Sequence, residues 1–390
     1  MDTNRTMSGF FIDKLCITQD HTPVNGDLLP FMAQHRYIKV DLQTGVESEH
    51  YDNLQLEGSF SSSLMIKCNG YQVSVYGNPS RWQRIDNLFG LKTFDDCIAV
   101  YNHILEGLGL PVFTKCTSFT FKQSMKGVGT HNKVYNGAII KHIDFTRNLS
   151  VGRGNEKFYL KGLSTQSIGR SVPAFLYPDE TTVEWYGAHM QKMTGSTYRY
   201  IKVYIKLSDL LRNEKKLLKG ASFDDIDYFE KVKKLTLENG VIREEHSFKR
   251  EYLRKHDLCA YGLVSELQFH EELQVITNIR KRLEVSDMQI ETIGQRLIEQ
   301  GICKSKQSAN ATEYAYSKWL HGESFDKTST QFMIYKKRLL SLGIDISIKL
   351  DISRAPLRLK QAEVIEVREF NAPSWYRQPV VPTNHLRLVA

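Results

Sequence analysis

The sequence predicts an α+β fold, in which an antiparallel sheet with helices packed on it is followed by a mainly helical C-terminal domain. Residues 36–78 form a run of short alternating segments separated by polar or glycine-containing turns, as in a meander. Apolar residues recur at helical spacing over 95–108 and over most of 263–342. We therefore expect three parts: an N-terminal β-rich part (1–110), an α+β core (111–262) and the helical domain (263–390).

Each predicted element follows from its local pattern. The predicted strands are 9–18, four short segments within 36–78, 113–122, 137–147, 181–187, 197–207, 241–249 and 362–370. The predicted helices are 95–108, 208–219, 223–238 and a series between 263 and 342 that breaks near Val285, Gly301 and Gly322. Residues 150–180 are rich in glycine, serine, threonine and proline, so we expect a long connection there.

Composition narrows the class of protein. A net charge of +8 favours a polyanionic partner, although excess lysine alone gives the same balance. No stretch approaches the roughly 18 uninterrupted apolar residues of a transmembrane helix. Asp13 and Lys14 interrupt the first apolar run, so no signal peptide is expected. The six cysteines are scattered without a C-x-x-C pair, which favours reduced thiols in a cytoplasmic protein and argues against a zinc site.

The predicted strand 197–207 has an unusual polar face. One side is mostly apolar, whereas the other side carries three phenols and two ammonium groups. These are Tyr198, Tyr200, Lys202, Tyr204 and Lys206. A cation beside a phenol lowers the cost of forming phenolate and stabilises charge on a phosphate under attack. The alternative is an ordinary amphipathic strand stabilised by cross-strand tyrosine pairs.

Two further predicted strands carry polar groups that can converge. The strand 137–147 places His142 and Asp144 on one face, which suits a divalent cation such as Mg²⁺ or Mn²⁺. The strand 241–249 places Arg243 and Glu245 on one face, with Lys249 at its end. Glu245 can complete a metal site, and the guanidinium can hold a phosphate through paired hydrogen bonds. Ion pairs on solvated strand faces are the alternative for both.

Together these groups are what phosphoryl transfer from DNA to a tyrosine requires. Metal, arginine and lysine neutralise the phosphate oxygens while a phenol attacks in line. Signatures of several other enzyme classes are missing from the sequence, namely the G-x-x-x-x-G-K-[ST] loop, H-E-x-x-H and G-x-S-x-G. The G-R-G-N segment at 152–155 lacks the Lys-Ser/Thr of a nucleotide loop, so we interpret it as a turn.

Short motifs along nearly the whole chain resemble those of the gene II replication initiator proteins of filamentous phages. They are Phe11-Ile12-Asp13-Lys14-Leu15, His142-Ile143-Asp144, Thr182-Val183-Glu184-Trp185 with Gly187, Lys202-Val203-Tyr204-Ile205-Lys206, Arg243-Glu244-Glu245 with Lys249, and Pro373-Ser374-Trp375-Tyr376 with Pro379-Val380. The chain more distantly resembles plasmid rolling-circle initiators with a degenerate HUH-type core. The resemblance implies that 111–262 is an antiparallel-sheet HUH-like nuclease core, although a standard HUH strand has a second histidine where this chain has Asp144.

The resemblance also implies an activity. Such initiators nick the origin strand of supercoiled double-stranded DNA by tyrosine attack on a phosphodiester, and later rejoin the displaced strand during rolling-circle replication. Carried over to this chain, the roles are Tyr204 as nucleophile with Tyr200 and Tyr198 as alternatives, His142, Asp144 and Glu245 as ligands of Mg²⁺ or Mn²⁺, and Arg243, Lys206 and Lys249 as phosphate clamps.

The implied partners are phage origin DNA, the displaced single strand, and the host helicase and DNA polymerase, in the cytoplasm of the host bacterium. A homo-oligomer on DNA is compatible with this reading, and no membrane partner is expected. The alternative function is a non-enzymatic DNA-binding regulator of replication or transcription on a decayed nuclease core. A conjugative relaxase or transposase would carry a full H-x-H pair, which the sequence lacks.

Overall fold

The computed structural model describes residues 9–21, 28–30, 32, 35–123, 131–168, 172–185, 198–286, 293–320, 323–348 and 365–382. Its strands are β1 (Phe11–Asp20), β2 (Arg36–Val40), β3 (Glu47–Tyr51), β4 (Leu54–Glu57), β5 (Ser63–Cys68), β6 (Gln72–Gly77), β7 (Phe119–Gln123), β8 (His131–Tyr135), β9 (Ile139–Ser150), β10 (Ala174–Leu176), β11 (Thr182–Trp185), β12 (Arg199–Ile205), β13 (Val241–Lys249) and β14 (Arg368–Glu369). Its helices are α1 (Phe94–Gly107), α2 (Glu156–Ser164), α3 (Lys206–Leu217), α4 (Phe223–Glu238), α5 (Arg250–Lys255), α6 (His270–Leu273), α7 (Val275–Ser286), α8 (Ile293–Glu299), α9 (Lys306–Leu320) and α10 (Thr330–Ser341).

Most of these strands form one large antiparallel sheet. Within the described residues its order is β10–β11–β12–β13–β9–β1–β6–β5–β4, and β14 pairs with the C-terminal end of β9. The pairs β2–β3 and β7–β8 form two separate ribbons. Strands β13 and β9 lie inside the sheet with neighbours on both sides. Because successive residues of a strand face opposite sides, each of these strands contributes to both faces.

Helices cover one face of the sheet. Helices α1 and α5 contribute Tyr101 and Tyr252 to a core that also contains Phe145 of β9 and Phe248 of β13. Farther along the same face, α2 and α7 pack against β11, β12 and β13. Leu160 of α2 is fully buried in this cluster. Burial of each large apolar side chain contributes roughly 1.5–3 kcal/mol of hydrophobic stabilisation. This face therefore holds the sheet and its helices together.

The opposite face of the central strands is polar. Helices α3 and α4 pack beside this face, where Leu210 and Phe229 share an apolar cluster with Ile85 and Leu88 of the segment that follows β6. This arrangement leaves a cleft bordered by α3, by the segment 76–87 and by the polar face of the sheet.

The α+β class predicted from the sequence is confirmed, with a large antiparallel sheet on which helices pack. The predicted strands 9–18 and 137–147 are present as β1 and β9, and the predicted helix 95–108 is present as α1. The four strands expected within 36–78 are present as part of β2–β6. Strands from the predicted parts 1–110 and 111–262 belong to the same sheet, because β1 of the first part pairs directly with β9 of the second.

The strand predicted at 113–122 is wrong in its first half, because β7 begins only at Phe119. The amide of Phe113 donates to the Asn102 side chain, and the amide of Cys116 donates to the Tyr261 carbonyl. These bonds hold the backbone of 113–118 against a helix and a loop, and no strand ladder forms there.

The long connection predicted at 150–180 is also wrong, because it contains α2 and β10. Tyr159, Leu160 and Leu163 lie on one side of α2 and are buried against the sheet. Packing of this short apolar stripe supplies the stability that the glycine- and serine-rich composition of the segment does not suggest.

Two predicted strands are shorter in the structure. The strand predicted at 197–207 ends at Ile205, because Lys206 already begins α3, whose Leu210 and Leu217 are buried. Of the strand predicted at 362–370, the described part contains only β14. The helix break predicted at Gly301 is confirmed, since this glycine follows α8 with a φ of 67°, whereas the one near Gly322 lies outside the described residues.

The mainly helical character predicted after residue 263 is confirmed for the described residues. Helices α8, α9 and α10 form a cluster of their own around Leu297, Trp319 and Phe332. The chain after α10 returns to the segment between α2 and β10, where Asp345 accepts hydrogen bonds from the backbone and hydroxyl of Ser167. Among the described helices, none is both long and apolar enough to cross a membrane.

Candidate active site

Strand pairing brings the predicted site residues together on the polar face. The register places Tyr204 opposite Arg243, Lys202 opposite Glu245, Tyr200 opposite Ser247, Asp144 opposite Ser247 on its other side, and His142 opposite Lys249. Directly opposed side chains in an antiparallel pair are about 4.5–5.5 Å apart at Cβ, so these groups can interact. They form three neighbouring groups along the face.

The first group is centred on Tyr204. Its hydroxyl donates a hydrogen bond of 2.7 Å to Glu245 Oε1. The Lys202 ammonium lies 3.2 Å from Glu245 Oε2 and 4.6 Å from the centre of the Tyr204 ring. Burial and the Glu245 carboxylate raise the pKa of Tyr204 well above its usual value, against an opposing effect of Arg243. The phenol is therefore neutral at neutral pH, with a proton acceptor already in contact.

The second group contains Arg243, whose side chain is fully buried. Its Nε donates to Asn148 Oδ1 over 2.9 Å, and its Nη2 donates to the Asn87 carbonyl over 2.5 Å. Nη1 lies 3.8 Å from Asp13 Oδ1 and has no hydrogen-bond partner within the described chain. One edge of the guanidinium is thus held by the protein, and the remaining amino group is buried and faces the Asp13 carboxylate.

Lys206 belongs to this second group. Its ammonium donates to Asp209 Oδ2 over 2.7 Å and to Asn87 Oδ1 over 3.0 Å. Burial and the nearby Arg243 charge lower the pKa of Lys206, although Asp209 acts in the opposite direction. Burial acts to raise the pKa of Asp209, but the positive charges of Lys206 and Arg243 lower it to about 2. The ionised pair places a cation beside Arg243.

The third group surrounds His142. Its Nε2 lies 2.7 Å from Asp144 Oδ1, 2.9 Å from Ser247 Oγ and 2.8 Å from the Lys249 ammonium. Burial acts to raise the pKa of Asp144, but the hydrogen bond and charge of His142 and the charge of Lys14 lower it to about 2. This group is therefore a compact cluster of ionised and hydrogen-bonding side chains.

Tyr200 borders the third group. The Lys249 ammonium lies 5.3 Å from the centre of the Tyr200 ring. Burial and the Asp144 carboxylate raise the pKa of Tyr200, which a hydrogen bond to Ser247 opposes. Tyr200 and Tyr204 are thus two half-buried phenols on one strand: Tyr204 bonds a carboxylate of the adjacent β13, and Tyr200 is influenced by a carboxylate of β9, one strand farther away.

Tyr198 does not belong to the site, contrary to the prediction that it shares a face with Tyr200 and Tyr204. It precedes the first residue of β12, and its hydroxyl lies 3.0 Å from His256 Nε2. Its ring packs edge-on against Tyr252 of α5, with ring centres 5.0 Å apart. The Tyr198 carbonyl still accepts from the Lys249 amide over 2.9 Å, but the side chain packs on α5 and not on the polar face.

The predicted metal ligands are divided between two groups. His142 and Asp144 contact each other, whereas Glu245 contacts Tyr204 and Lys202. Within the described residues, no group of three or more histidine, cysteine or acidic side chains has an arrangement suited to a metal ion. The Lys249 ammonium also lies against the His142 nitrogen that would bind a cation. In this arrangement, therefore, the three residues do not fit a three-ligand metal site, and the metal requirement stays a prediction.

The first group and, from the second group, Lys206 and Asp209 line a cleft of ≈ 380 Å³, whereas Arg243 is fully buried beside them. Its walls include Tyr204, Glu245 and Lys206, and also Asp13 and Asn87, which sequence reasoning did not assign to the site. Asn87 donates to Asp13 over 2.8 Å, so the two residues form part of one network with Lys206 and Arg243.

The position of Asp13 follows from an irregularity in β1. The pairing of β1 with β9 shifts register between Ile12 and Lys14, which leaves Asp13 without an opposing residue at a β-bulge. Two charged residues interrupting an apolar strand were the only sequence signal for this feature. No local signal identifies Asn87, which lies in a loop between the polar face and α1.

Comparison with known proteins identifies the family. The family model for the C-terminal region of the gene II-type replication-associated protein matches residues 297–382, which include α9, α10 and the segment that carries β14. The replication-associated protein of the same type from Escherichia phage If1 is 36% identical over 333 residues, which cover 83% of this chain and 99% of that protein. These matches confirm the resemblance inferred from the short motifs. The chain belongs to the gene II-type family of phage replication-associated proteins.

Proposed function

We propose that this protein initiates phage DNA replication by nicking the origin strand of supercoiled double-stranded DNA and later rejoining the displaced strand. The observation that carries the proposal is the hydrogen bond of 2.7 Å between the Tyr204 hydroxyl and Glu245 in the wall of the cleft. A phenol with a positioned proton acceptor is an activated nucleophile. Membership of a family of replication-associated proteins supports DNA as the substrate.

The proposed step transfers one phosphoryl group to the protein. The Tyr204 oxygen attacks phosphorus, the bond from phosphorus to the 3′ oxygen breaks, and the phenol proton passes to Glu245. The departing 3′ oxygen takes up a proton from water and leaves a free 3′ hydroxyl, which the host polymerase extends after the host helicase unwinds the duplex. Attack of a 3′ hydroxyl on the phosphotyrosine reverses these bond changes and rejoins the strand.

Positive charge in the cleft supports this chemistry. Lys206 lines the same cleft as the Tyr204–Glu245 pair, Arg243 lies opposite Tyr204 in the strand register, and Lys202 lies against both members of that pair. Cations fixed in a partly desolvated cleft stabilise the charge that spreads over the phosphate oxygens in the transition state. Because proton transfer to Glu245 accompanies attack, the raised pKa of Tyr204 is compatible with reaction at neutral pH.

Tyr200 is the second candidate nucleophile. It lies beside the His142–Asp144 pair, and its raised pKa again requires a proton acceptor. The predicted Mg²⁺ or Mn²⁺ would neutralise charge on the scissile phosphate, but no step of this proposal passes through a metal, because His142, Asp144 and Glu245 do not form a three-ligand site in the described residues. Two lysines lie at this group, Lys249 at 2.8 Å from His142 Nε2 and Lys14 at 3.9 Å from Asp144.

The test is a nicking assay on supercoiled plasmid that carries the cognate phage origin, with and without Mg²⁺. Wild type is compared with Tyr204→Phe, Tyr200→Phe and Tyr198→Phe, the last serving as the matched control because Tyr198 packs on α5. We expect Tyr204→Phe to abolish nicking while the other two variants retain it. Trapping of labelled DNA on wild-type protein after denaturation, absent in Tyr204→Phe, identifies the covalent bond.

Each other outcome points elsewhere. Loss of nicking with Tyr200→Phe alone would move the nucleophile to the His142–Asp144 group and keep the enzyme. Equal nicking with and without Mg²⁺ after treatment with EDTA would refute the metal requirement. A wild-type protein that shifts origin DNA in a gel but never nicks it would refute the enzyme, and the non-enzymatic regulator would replace it.

A further inference from the structure

The loop 84–89, between β6 and α1, bonds two cations: Lys206, which lines the cleft, and the fully buried Arg243. The Asn87 carbonyl accepts from Arg243 Nη2 over 2.5 Å, and the Leu88 carbonyl accepts from the same nitrogen over 3.3 Å. The Asn87 side chain bonds both Lys206, over 3.0 Å, and Asp13, over 2.8 Å. The orientation of both cations therefore depends on the conformation of this loop.

The C-terminal segment holds the loop from its other side. The Tyr376 hydroxyl donates to Asp86 Oδ1 over 2.5 Å and accepts from the Phe89 amide over 3.0 Å and from Arg84 Nη2 over 2.8 Å. Asp86 in turn accepts from the Leu88 amide over 2.8 Å. A single phenol thus contacts both ends of the loop and the carboxylate in its middle.

Ring packing and a second phenol fix this contact. The Tyr376 and Phe89 rings pack edge to face with centres 4.9 Å apart, and Phe370 stacks on Phe89 at 5.4 Å. Tyr228 of α4 donates to the other Asp86 oxygen over 2.9 Å. Tyr376 and Asp86 are both buried. Hydrogen bonds in a buried network of this kind reinforce one another and define one geometry.

We propose that Tyr376 is a positioning residue of the active site, which acts through the loop 84–89 to hold Arg243 and Lys206 at the cleft. The C-terminal segment that carries the Pro373–Tyr376 motif is then part of the catalytic unit, although it is more than 120 residues away from β13 in the chain. This inference rests on the proposed nicking function for its catalytic consequence, and on the hydrogen bonds alone for the link between Tyr376 and the loop.

The first test is the variant Tyr376→Phe, which removes the hydroxyl and keeps the ring. Its matched control is Tyr101→Phe. Tyr101 is likewise buried and its hydroxyl likewise donates a hydrogen bond, in this case over 2.9 Å to the Leu15 carbonyl. We expect Tyr376→Phe to lower the nicking rate at saturating DNA about ten- to a hundredfold, the range expected for misplaced catalytic groups. The Kd for origin DNA should change less than about twofold in both variants, because neither substitution alters a charged side chain.

A double-mutant cycle separates positioning from loss of stability. Asn87→Ala removes the side chain that bonds Lys206 and Asp13. If Tyr376 acts through the loop, its effect on the nicking rate and that of Asn87→Ala are coupled, and the double variant is little slower than the slower single variant. Additive effects, or a rate loss in Tyr101→Phe as large as in Tyr376→Phe, would overturn the positioning role.

Hydrogen–deuterium exchange tests the link without relying on the nicking function. In Tyr376→Phe, amides of the peptide 84–91 should exchange at least about tenfold faster than in wild type, since Phe89 loses its acceptor. The same peptide should be unchanged in Tyr101→Phe. Unchanged exchange in Tyr376→Phe would overturn the inference. Faster exchange together with a wild type that never nicks would support the structural link and refute the proposed function alone.

Discussion

Strand β13 presents charged and titratable side chains to both faces of the sheet, and the two sets make different contacts. Toward the cleft it presents Arg243 and Glu245, and toward the helices it presents Glu244 and His246. On the helix-covered face, Arg147 of β9 completes a buried group: its Nε donates to Glu244 over 2.9 Å, and His246 Nε2 lies 2.6 Å from the other Glu244 oxygen.

Burial does not distinguish the two faces, because Arg243 and Glu244 are both fully buried. What differs is where the hydrogen bonds lead. Arg147 and Glu244 bind each other, and Arg147 also donates to Thr277 of α7, so the group ties the sheet to a helix. Glu245 instead binds Tyr204 in the wall of a cleft. Buried ionic groups that bind only each other and a helix stabilise the fold, whereas ionic groups in the wall of a cleft can contact a substrate.

The largest expected effect separates the two glutamates by activity. Glu245→Gln removes the proton acceptor of Tyr204, and a missing general base typically costs 10²–10⁴-fold in rate. We expect the nicking rate to fall by about that factor while the thermal unfolding midpoint changes little, since glutamine still accepts a hydrogen bond from Tyr204. Single-turnover nicking and a thermal melt measure the two effects. A variant that nicks at the wild-type rate would exclude Glu245 as the base.

The converse variant should act on stability. Glu244→Gln leaves Arg147 without its anion in a buried site, and breaking a buried ion pair typically costs about 3–5 kcal/mol of unfolding free energy. Urea denaturation measures this loss, and the folded fraction should still nick at a rate close to wild type. A strong loss of nicking in folded Glu244→Gln protein would remove the distinction between the two faces.

The pH dependence of stability should follow the helix-covered group. Burial lowers the pKa of His246, against the effect of Glu244, so the imidazole is neutral in the folded state. Below the ordinary histidine pKa of about 6.5, the unfolded chain binds a proton that the folded chain does not. Burial acts to raise the pKa of Glu244, but Arg147 and His246 outweigh it and lower that pKa. Both groups therefore make stability fall as the pH falls.

The slope gives the measurable quantity. Each extra proton bound by the unfolded state lowers the unfolding free energy by up to about 1.4 kcal/mol per pH unit. Between about pH 6.5 and pH 5, the variant His246→Asn should lose less stability than wild type in urea titrations. If the unfolding free energies of the two proteins fell equally with pH in this window, groups other than His246 would dominate acid unfolding.

The sequence predicted the polar face better than it predicted the cleft. Alternation along β12 and β13 places Tyr204, Arg243 and Glu245 on the same face of the sheet. This period-two pattern is a property of each strand's own sequence, so it can be seen without knowledge of the fold. The loop that carries Asn87 is fixed by contacts with Arg243, Lys206 and Tyr376, each more than 100 residues away in the chain. Periodicity contains no information about such contacts.

The errors have the same origin. Tyr198 follows the alternation of its strand in sequence, yet α5 packs against it and removes it from the polar face. Lys206 was expected on the polar face of a strand that ran to residue 207, but it is the first residue of α3, whose apolar side is buried. Local pattern therefore predicted which residue types would be near the site, whereas tertiary packing decided which of them reach the cleft.

The smallest expected effect concerns Thr146 of β9, which is fully buried and lies opposite Glu245 of β13. Its hydroxyl has no hydrogen-bond partner within the described chain, although it lies on the polar side of the sheet. Thr146→Val keeps the shape and removes the unpaired hydroxyl, so we expect a gain of roughly 1 kcal/mol in unfolding free energy with nicking unchanged. Urea denaturation and the nicking assay measure both. If nicking falls instead, the Thr146 hydroxyl contributes to the Tyr204–Glu245 pair. A buried residue of β9 on the polar side of the sheet would then affect activity even without a hydrogen bond to the pair.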